Sequence, residues 1–289
     1  MIRTALTAAL ILITTPATAR FVSPRITVTT QGTGPDVILV PGLTSSPAAF
    51  KYVAQDLPGY RYHFIQVKGF AGVPAEANAS GPVAAPVAEE IARYITAEHL
   101  KAPAIVGHSM GGTIAMMVAA RHPGSVGKLM VVDMPPFLGQ MFGGPNATSA
   151  SVKPIADGMM AGWQKSTPEA RRAASHERVA QMVNTAAELP QITKSADDSD
   201  EATVMHSYGE LIVTDLRPEL ANVSAPSTVL YVTPKGAPLT DAQIDAVYAA
   251  SYANLKGAKL TRIPDSAHFI MYDARPRFAI ELKTFLTAN

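Results

Sequence analysis

Five residues carry the clearest chemical signal in this 289-residue chain: Gly107-His108-Ser109-Met110-Gly111. They match G-x-S-x-G, with an apolar run, Pro103–Val106, before them and a helical stretch, Thr113–Arg121, after them. A serine on a sharp strand-to-helix turn needs a strained backbone and nearly side-chain-free neighbours two residues to either side, and the glycines meet that demand. The turn lifts the hydroxyl out of the sheet edge. The N-terminus of the helix behind it offers unpaired N–H groups to a developing oxyanion. This is equipment for nucleophilic attack on a carbonyl; the plain alternative is an ordinary glycine-rich turn. The chain has no cysteine, which excludes a thiolate nucleophile, a disulfide scaffold and any Cys-ligated metal site.

The elements that would position such a serine occur in a suitable order. Ile26–Thr30 alternates and is β-rich, and Val37–Val40 is a continuous apolar run typical of a buried strand. Strands are also expected at Tyr60–Val67, Pro103–Val106, Lys128–Val132, Thr228–Val232 and Lys259–Ile263. Between and after them, helices are expected at Ala48–Asp56, Val83–His99, Thr113–Arg121, Asp241–Ala253 and Pro276–Leu286. Strands alternating with helices predict an α/β fold with a mostly parallel central sheet flanked by helices. The β signal vanishes between Met134 and about Val223. The expected organisation is therefore a core of residues 20–133 and 226–289 with a helical cap inserted at 134–225.

Residues 1–19 have the three parts of a secretory signal: Arg3, an apolar run from Ala5 to Ile13, and Ala17-Thr18-Ala19 as a small-residue cleavage site. The run is too short for a stable membrane anchor, which needs about 20 apolar residues. The expected location is periplasmic or secreted. Hydrophobic residues make up 47% of the chain and charged residues 16%, which excludes a disordered protein. Basic residues number 24 and acidic residues 23 with no block of like charge, so the footprint of a nucleic-acid binder is missing. Removing Arg3 with the signal leaves a near-neutral chain.

With these residues in place the sequence resembles the α/β-hydrolase family over the whole mature chain. The resemblance implies an α/β-hydrolase fold and an oxyanion loop at Pro41-Gly42-Leu43-Thr44-Ser45-Ser46, with the backbone amides of Leu43 and Met110 as the oxyanion hole. The family often has a histidine where this chain has Pro41. Gly69-Phe70-Ala71-Gly72 lies where the family's next loop approaches the pocket. The catalytic base comes last in the family's chain order, which singles out His268 within Ser266-Ala267-His268-Phe269 among seven histidines. His108 and His63 are expected to be structural, and His99, His122 and His176 to lie on the surface. His206, in the cap, is a candidate substrate contact. The acid is less direct. Ala237-Pro238-Leu239-Thr240 resembles the family's Asp-Pro-Leu-Thr run with alanine in the acid's place. Some members carry the acid after the preceding strand, which here is Asp133. Asp241 is the second candidate, otherwise a helix cap; Asp265 lies too close to His268 in sequence, and Asp215 is expected to be structural.

The implied activity is that of a secreted serine hydrolase cleaving a small to medium, uncharged hydrophobic carboxylic ester through an acyl-enzyme on Ser109. No cofactor and no metal are expected, and the expected partner is the small-molecule ester. Hydrolysis of lactones, amides or carbon–carbon bonds uses the same triad. A non-catalytic periplasmic binding protein is the alternative that Ala237 motivates. Methionines cluster from Met110 to Met205, with Met134, Met141, Met159, Met160, Met182 and Met205 in the expected cap. They suit either helix packing or a malleable acyl pocket. The acidic cluster Asp197–Glu201 reads as a solvated turn or helix start.

Overall fold

Val37, Ile38, Leu39 and Val40 are all buried, because alternate side chains of this strand enter two different cores. Val37 and Leu39 join one apolar cluster, and Ile38 and Val40 join the other, on the opposite face of the sheet. The same division recurs at Ala104/Val106 against Ile105, and at Met130/Val132 against Leu129/Val131. This two-sided burial is why those segments read as unbroken apolar runs. The computed structural model of the protein describes residues 21–288. The expected signal at 1–19 lies outside the described residues.

Seven strands form one sheet: β1 (Ile26–Gln31), β2 (Asp36–Val40), β3 (Arg61–Val67), β4 (Ala104–His108), β5 (Lys128–Val132), β6 (Ser227–Tyr231) and β7 (Lys259–Arg262). Their order is β1-β3-β2-β4-β5-β6-β7. Only β1 runs antiparallel, against β3, and every other pairing is parallel. Helices α2 (Ala84–Ala97) and α3 (Met110–Arg121) cover one face, and α10 (Ile270–Asp273) and α11 (Arg275–Thr287) the other. The expected helix at 48–56 is shorter than its pattern. It consists of a 3-10 turn, Pro47–Phe50, capped by the Ser46 side chain, then one turn of α1 (Val53–Asp56).

Between β5 and β6 run α4 (Gln140–Gly143), α5 (Ser149–Lys165), α6 (Pro168–Met182), α7 (Leu189–Asp197) and α8 (Glu201–Val213). Leu216 and Leu220, at the end of this stretch, pack with α3 in the main core. The returning chain thus rejoins the core about ten residues before β6. Helix α9 (Asp241–Ser251) follows β6. No helix among the described residues is long and apolar enough to cross a membrane.

The junctions that matter lie at one edge. Leu43 follows β2, Ser109 follows β4, Asp133 follows β5 and His268 comes after β7. In parallel α/β sheets the carboxyl ends of the strands are where catalytic and ligand groups gather.

One carboxylate ties the inserted helices to this framework. Helix α2 starts at Val83, which has no side-chain acceptor to cap it. Glu210 of α8 supplies the missing acceptor: its carboxylate takes the N–H groups of Val83, Ala84 and Ala85 at 2.6, 2.7 and 2.9 Å. A negative charge on the positive end of a helix adds to the hydrogen bonds. Glu210→Ala is expected to cost about 2 kcal/mol, lowering the thermal midpoint by roughly 4–8 °C. Thermal unfolding followed by circular dichroism checks this, with Glu210→Gln showing only part of the loss.

Candidate active site

Ser109 holds φ 53° and ψ −126°, a left-handed backbone that costs a non-glycine residue about 1–3 kcal/mol. The turn survives because its flanks are fixed. The Ser109 amide donates to Val132 O at 2.9 Å, and its carbonyl accepts from Gly112 N at 2.7 Å. A Cβ on Gly107 would overlap the Gly111 carbonyl, and one on Gly111 would overlap the carbonyls of Val40 and Pro41. Both glycines of the motif are therefore required by backbone-to-backbone contact.

Asp133 continues β5 and also has a left-handed backbone, φ 52°. Its amide donates to Leu230 O at 2.7 Å. The carboxylate is fully engaged. Oδ2 accepts from His268 Nδ1 at 2.6 Å, while Oδ1 accepts from the Val232 amide at 3.1 Å and from the Tyr248 hydroxyl at 3.3 Å. Burial, with the Asp133 charge beside it, pushes the Tyr248 hydroxyl far above its ordinary value, so it stays a donor. With the proton held on Nδ1 by the carboxylate, His268 keeps a lone pair on Nε2. The second acid candidate is elsewhere. Asp241 is exposed, accepts from Thr233 Oγ1 at 2.6 Å and pairs with Arg262 at 2.7 Å. The cap of α9 is Thr240 rather than Asp241, in a reciprocal arrangement with Gln243.

His108 is more central than the sequence suggested. Its ring is buried and lies against the His268 ring, centroids 4.6 Å apart and planes tilted by 47°. Its Nε2–H donates to the His268 carbonyl at 3.0 Å, and its Nδ1 has no partner among the described residues. Burial, and then the neighbouring His268, hold this imidazole well below the ordinary histidine value. It is a neutral strut between the serine turn and the histidine loop. His63 is a satisfied core histidine, bonded to the Tyr94 hydroxyl at 2.7 Å and Asp36 at 2.9 Å. His122 and His176 pair with Glu89 and Asp197 at the surface, and His99 is exposed. Asp215 pairs with Arg217.

The loop after β2 turns through Thr44 at φ 59° and closes with a Ser45 N–H to Gly42 O bond of 3.1 Å. Gly42 packs so closely that an added Cβ would lie 2.9 Å from Ser109 Cβ. Among the described residues, the Leu43 and Met110 amides have no hydrogen-bond acceptor in the protein. Ser109, His268, Asp133 and Leu43 all border one cleft of about 380 Å³.

The cleft's outer wall comes from the helices between β5 and β6. Met134, Met141 and Met182 line it, with Leu138, Phe142 and Leu211. Met159 is instead exposed and Met160 packs on Gly209, so neither methionine lines the cleft. His206 does not border the cleft. Nor does the Gly69–Gly72 loop, which braces the α7–α8 turn through Gly72 N to Asp198 O and Asp200 N to Gly69 O, at 3.0 and 2.7 Å. Asp200 caps α8 within the acidic cluster, and no metal-like grouping occurs among the described residues. Sequence reasoning missed Tyr248, Arg178 and Lys235, which also face the cleft. Ile244, Tyr248 and Tyr252 recur four residues apart, a stripe that marks the inward face of α9.

Residues 37–281 match the model of the alpha/beta hydrolase family. A protein of Vibrio cholerae named pimeloyl-[acyl-carrier protein] methyl ester esterase is 28% identical over 205 residues, 70% of this chain and 76% of that protein. A protein of the same name from Vibrio vulnificus is 36% identical over 109 residues, 37% of this chain and 40% of that one. The chain thus spans about two fifths of the length of several of the curated relatives it matches. Among solved structures, an esterase from Exiguobacterium antarcticum superposes with a TM-score of 0.75 at 21% identity, covering 91% of this chain and 96% of the other. The enol-lactonase from Burkholderia xenovorans LB400 gives 0.71 at 16% identity, covering 91% and 96%. At such identities the likeness is one of fold.

His108 and His63 give the site and its sheet a defined response to acid. In both, burial lowers the folded-state value beneath the ordinary 6.5. Below that pH the unfolded chain takes up protons that the folded chain refuses, so stability falls as the solution is acidified. The stability is complete above about pH 7 and drains away progressively beneath 6.5. Urea unfolding at pH 8, 6 and 5 should show this loss, and His63→Gln should flatten the profile. A level profile in the parent protein would contradict both assignments.

Proposed function

The chain belongs to the alpha/beta hydrolase family, and within it we propose that the protein is a serine hydrolase of carboxylic esters. One observation carries the reading: an Asp133-oriented His268 and a strained, glycine-framed Ser109 border the same cleft. The relatives named methyl ester esterases agree with an ester substrate.

Ser109 Oγ attacks the ester carbonyl carbon while His268 Nε2 takes its proton. The carbonyl oxygen gains the negative charge and sits between the Leu43 and Met110 amides, which have no competing acceptor in the protein. His268, now an imidazolium, is stabilised by the 2.6 Å bond to Asp133. It then hands the proton to the leaving alcohol, and the acyl group stays on Ser109. Water, deprotonated by the same His268, attacks the acyl carbon; the Ser109 Oγ–acyl bond then breaks, His268 returns the proton to Oγ, and the acid is released. Asp133 sets the tautomer throughout, and Val232 N–H and the Tyr248 hydroxyl keep its second oxygen from turning away.

The cleft walls suit a small to medium apolar chain, and the helices between β5 and β6 act as its cap. The protein works outside the cytoplasm, released from a precursor after Ala19. N-terminal sequencing of protein from the periplasm or medium should begin near Arg20; cytoplasmic protein starting at Met1 would refute export.

Ser109→Ala should abolish both p-nitrophenyl ester hydrolysis and labelling by a fluorophosphonate, with thermal unfolding unchanged. A parent protein that resists the label would be a binding protein rather than an enzyme. Asp133→Asn should lower kcat by about four orders of magnitude, on the order of 5 kcal/mol of barrier. Asp241→Asn should act nearly as the parent, because Asp241 is exposed and occupied by Arg262 and Thr233.

A further inference from the structure

We propose that the ester this cleft accepts carries a free carboxylate at the far end of its apolar chain, held at the rim by Arg178 and Lys235. The inference rests on the esterase reading above and narrows its substrate class.

It starts from the charges that border the cleft. Apart from the histidines they are three: Asp133, Arg178 and Lys235. Asp133 is consumed by His268, Val232 and Tyr248. Neither Arg178 nor Lys235 forms an ion pair with any described acidic residue. Arg178 lies only over the Tyr208 ring, 5.8 Å from its centre. The cleft therefore presents two uncompensated positive charges and no free negative one. The whole chain is close to neutral, so this local excess is not a background effect.

The two cations come from different parts of the fold. Arg178 stands on α6, in the helices between β5 and β6, and Lys235 stands in the loop between β6 and α9. Both border one cleft whose lining includes Met134, Met141, Met182, Leu138 and Leu211. Low-dielectric walls strengthen a charge interaction at the rim relative to open water. An apolar spacer can lie along the methionines, with its ester at Ser109 and its carboxylate outward. An uncharged ester, as expected from the sequence, would leave both cations without a role.

A matched pair of probes tests this: monomethyl adipate, which has one free carboxylate, and dimethyl adipate, which has none. The parent should show kcat/KM at least tenfold higher for the monoester per scissile ester bond. The advantage should lie in KM, because a remote charge binds ground and transition states alike. Arg178→Gln and Lys235→Gln should each cut it about fivefold, a contribution typical of a partly exposed ion pair. The pair together should abolish it, bringing the ratio of kcat/KM for the monoester to that for the diester to about one per ester bond. Raising the salt concentration should shrink the advantage in the parent and not in the double variant. Both side chains are exposed, so unfolding temperatures should match the parent. Hydrolysis of dimethyl adipate as well as or better than the monoester overturns the carboxylate subsite and leaves the esterase reading standing. Failure to hydrolyse either probe or any p-nitrophenyl ester overturns both.

Discussion

The site depends on a place where there is no room for a side chain. Between the end of β2 and the first turn of α3, the backbone of Gly111 lies directly against the carbonyls of Val40 and Pro41, while Gly107 lies against Gly111. That contact brings the start of α3 flush with two strand ends and forces Ser109 into a left-handed backbone. It also seats Gly42, and with it the loop bearing Leu43, against the serine. The strain is held by the helix behind the serine, since α3 is buried from Met110 through Ala120. A helix immersed in the core on nearly every side cannot rotate to relax its first residue. The burial therefore outweighs a local cost of about 1–3 kcal/mol.

The position of the acid follows from the same parallel sheet. Strands β5 and β6 are neighbours with Val132 beside Leu230, and adjacent strands lie about 4.8 Å apart. A carboxylate on the turn after β5 is thus only one strand spacing from where one after β6 would sit. Ala237 leaves the later loop without an acid. That later segment still contributes to the pair, since α9 delivers the Tyr248 hydroxyl to Asp133 Oδ1 and Val232 adds its amide. Tyr248 is in turn stacked on Tyr231 at 4.0 Å, so the acid's second oxygen is fixed by a rigid aromatic pair.

Much of this was legible in the sequence, for identifiable reasons. Strands buried on both faces give continuous apolar runs, and the strands at Val37–Val40 and Lys128–Val132 were readable within a residue or two. The serine turn was legible because its two glycines answer to a local backbone constraint. What escaped depends on long-range packing. The partner of Glu210 is a helix start 125 to 127 residues away, and nothing in its own neighbourhood announces that. By composition Met159 and Met160 suited either helix packing or an acyl pocket, and the rotation of α5 turns Met159 to the surface and Met160 onto Gly209. His108 was expected to be structural, and the sequence carries no hint that it would bond to the His268 carbonyl, because their contact spans 160 residues.

The helices over the cleft are registered against the candidate catalytic groups rather than merely laid across them. The last residue of α6, Met182, accepts from the Phe269 amide at 3.1 Å, one residue beyond His268. Just after it, Asp273 takes the amides of Asn184 and Thr185 at 3.0 and 2.8 Å, and with its other oxygen the Ala267 amide at 3.0 Å. One carboxylate thus binds the end of α6 and the histidine loop together. A few residues on, Glu188 accepts from Lys51 and from the Tyr52 hydroxyl at 2.6 and 2.8 Å, fastening the same stretch to the chain beyond the Leu43 loop. Since α6 leads directly into this clasp, residues on it, Val179 and Met182 among them, keep a fixed relation to His268. The opposite end of the wall is different: Met141 and Phe142 of α4 are exposed, and α4 is a single turn bounded by Gly139 and Gly144. The histidine's side of the cleft is thus clasped by a set of hydrogen bonds, whereas its α4 side is a short, exposed, glycine-bounded turn.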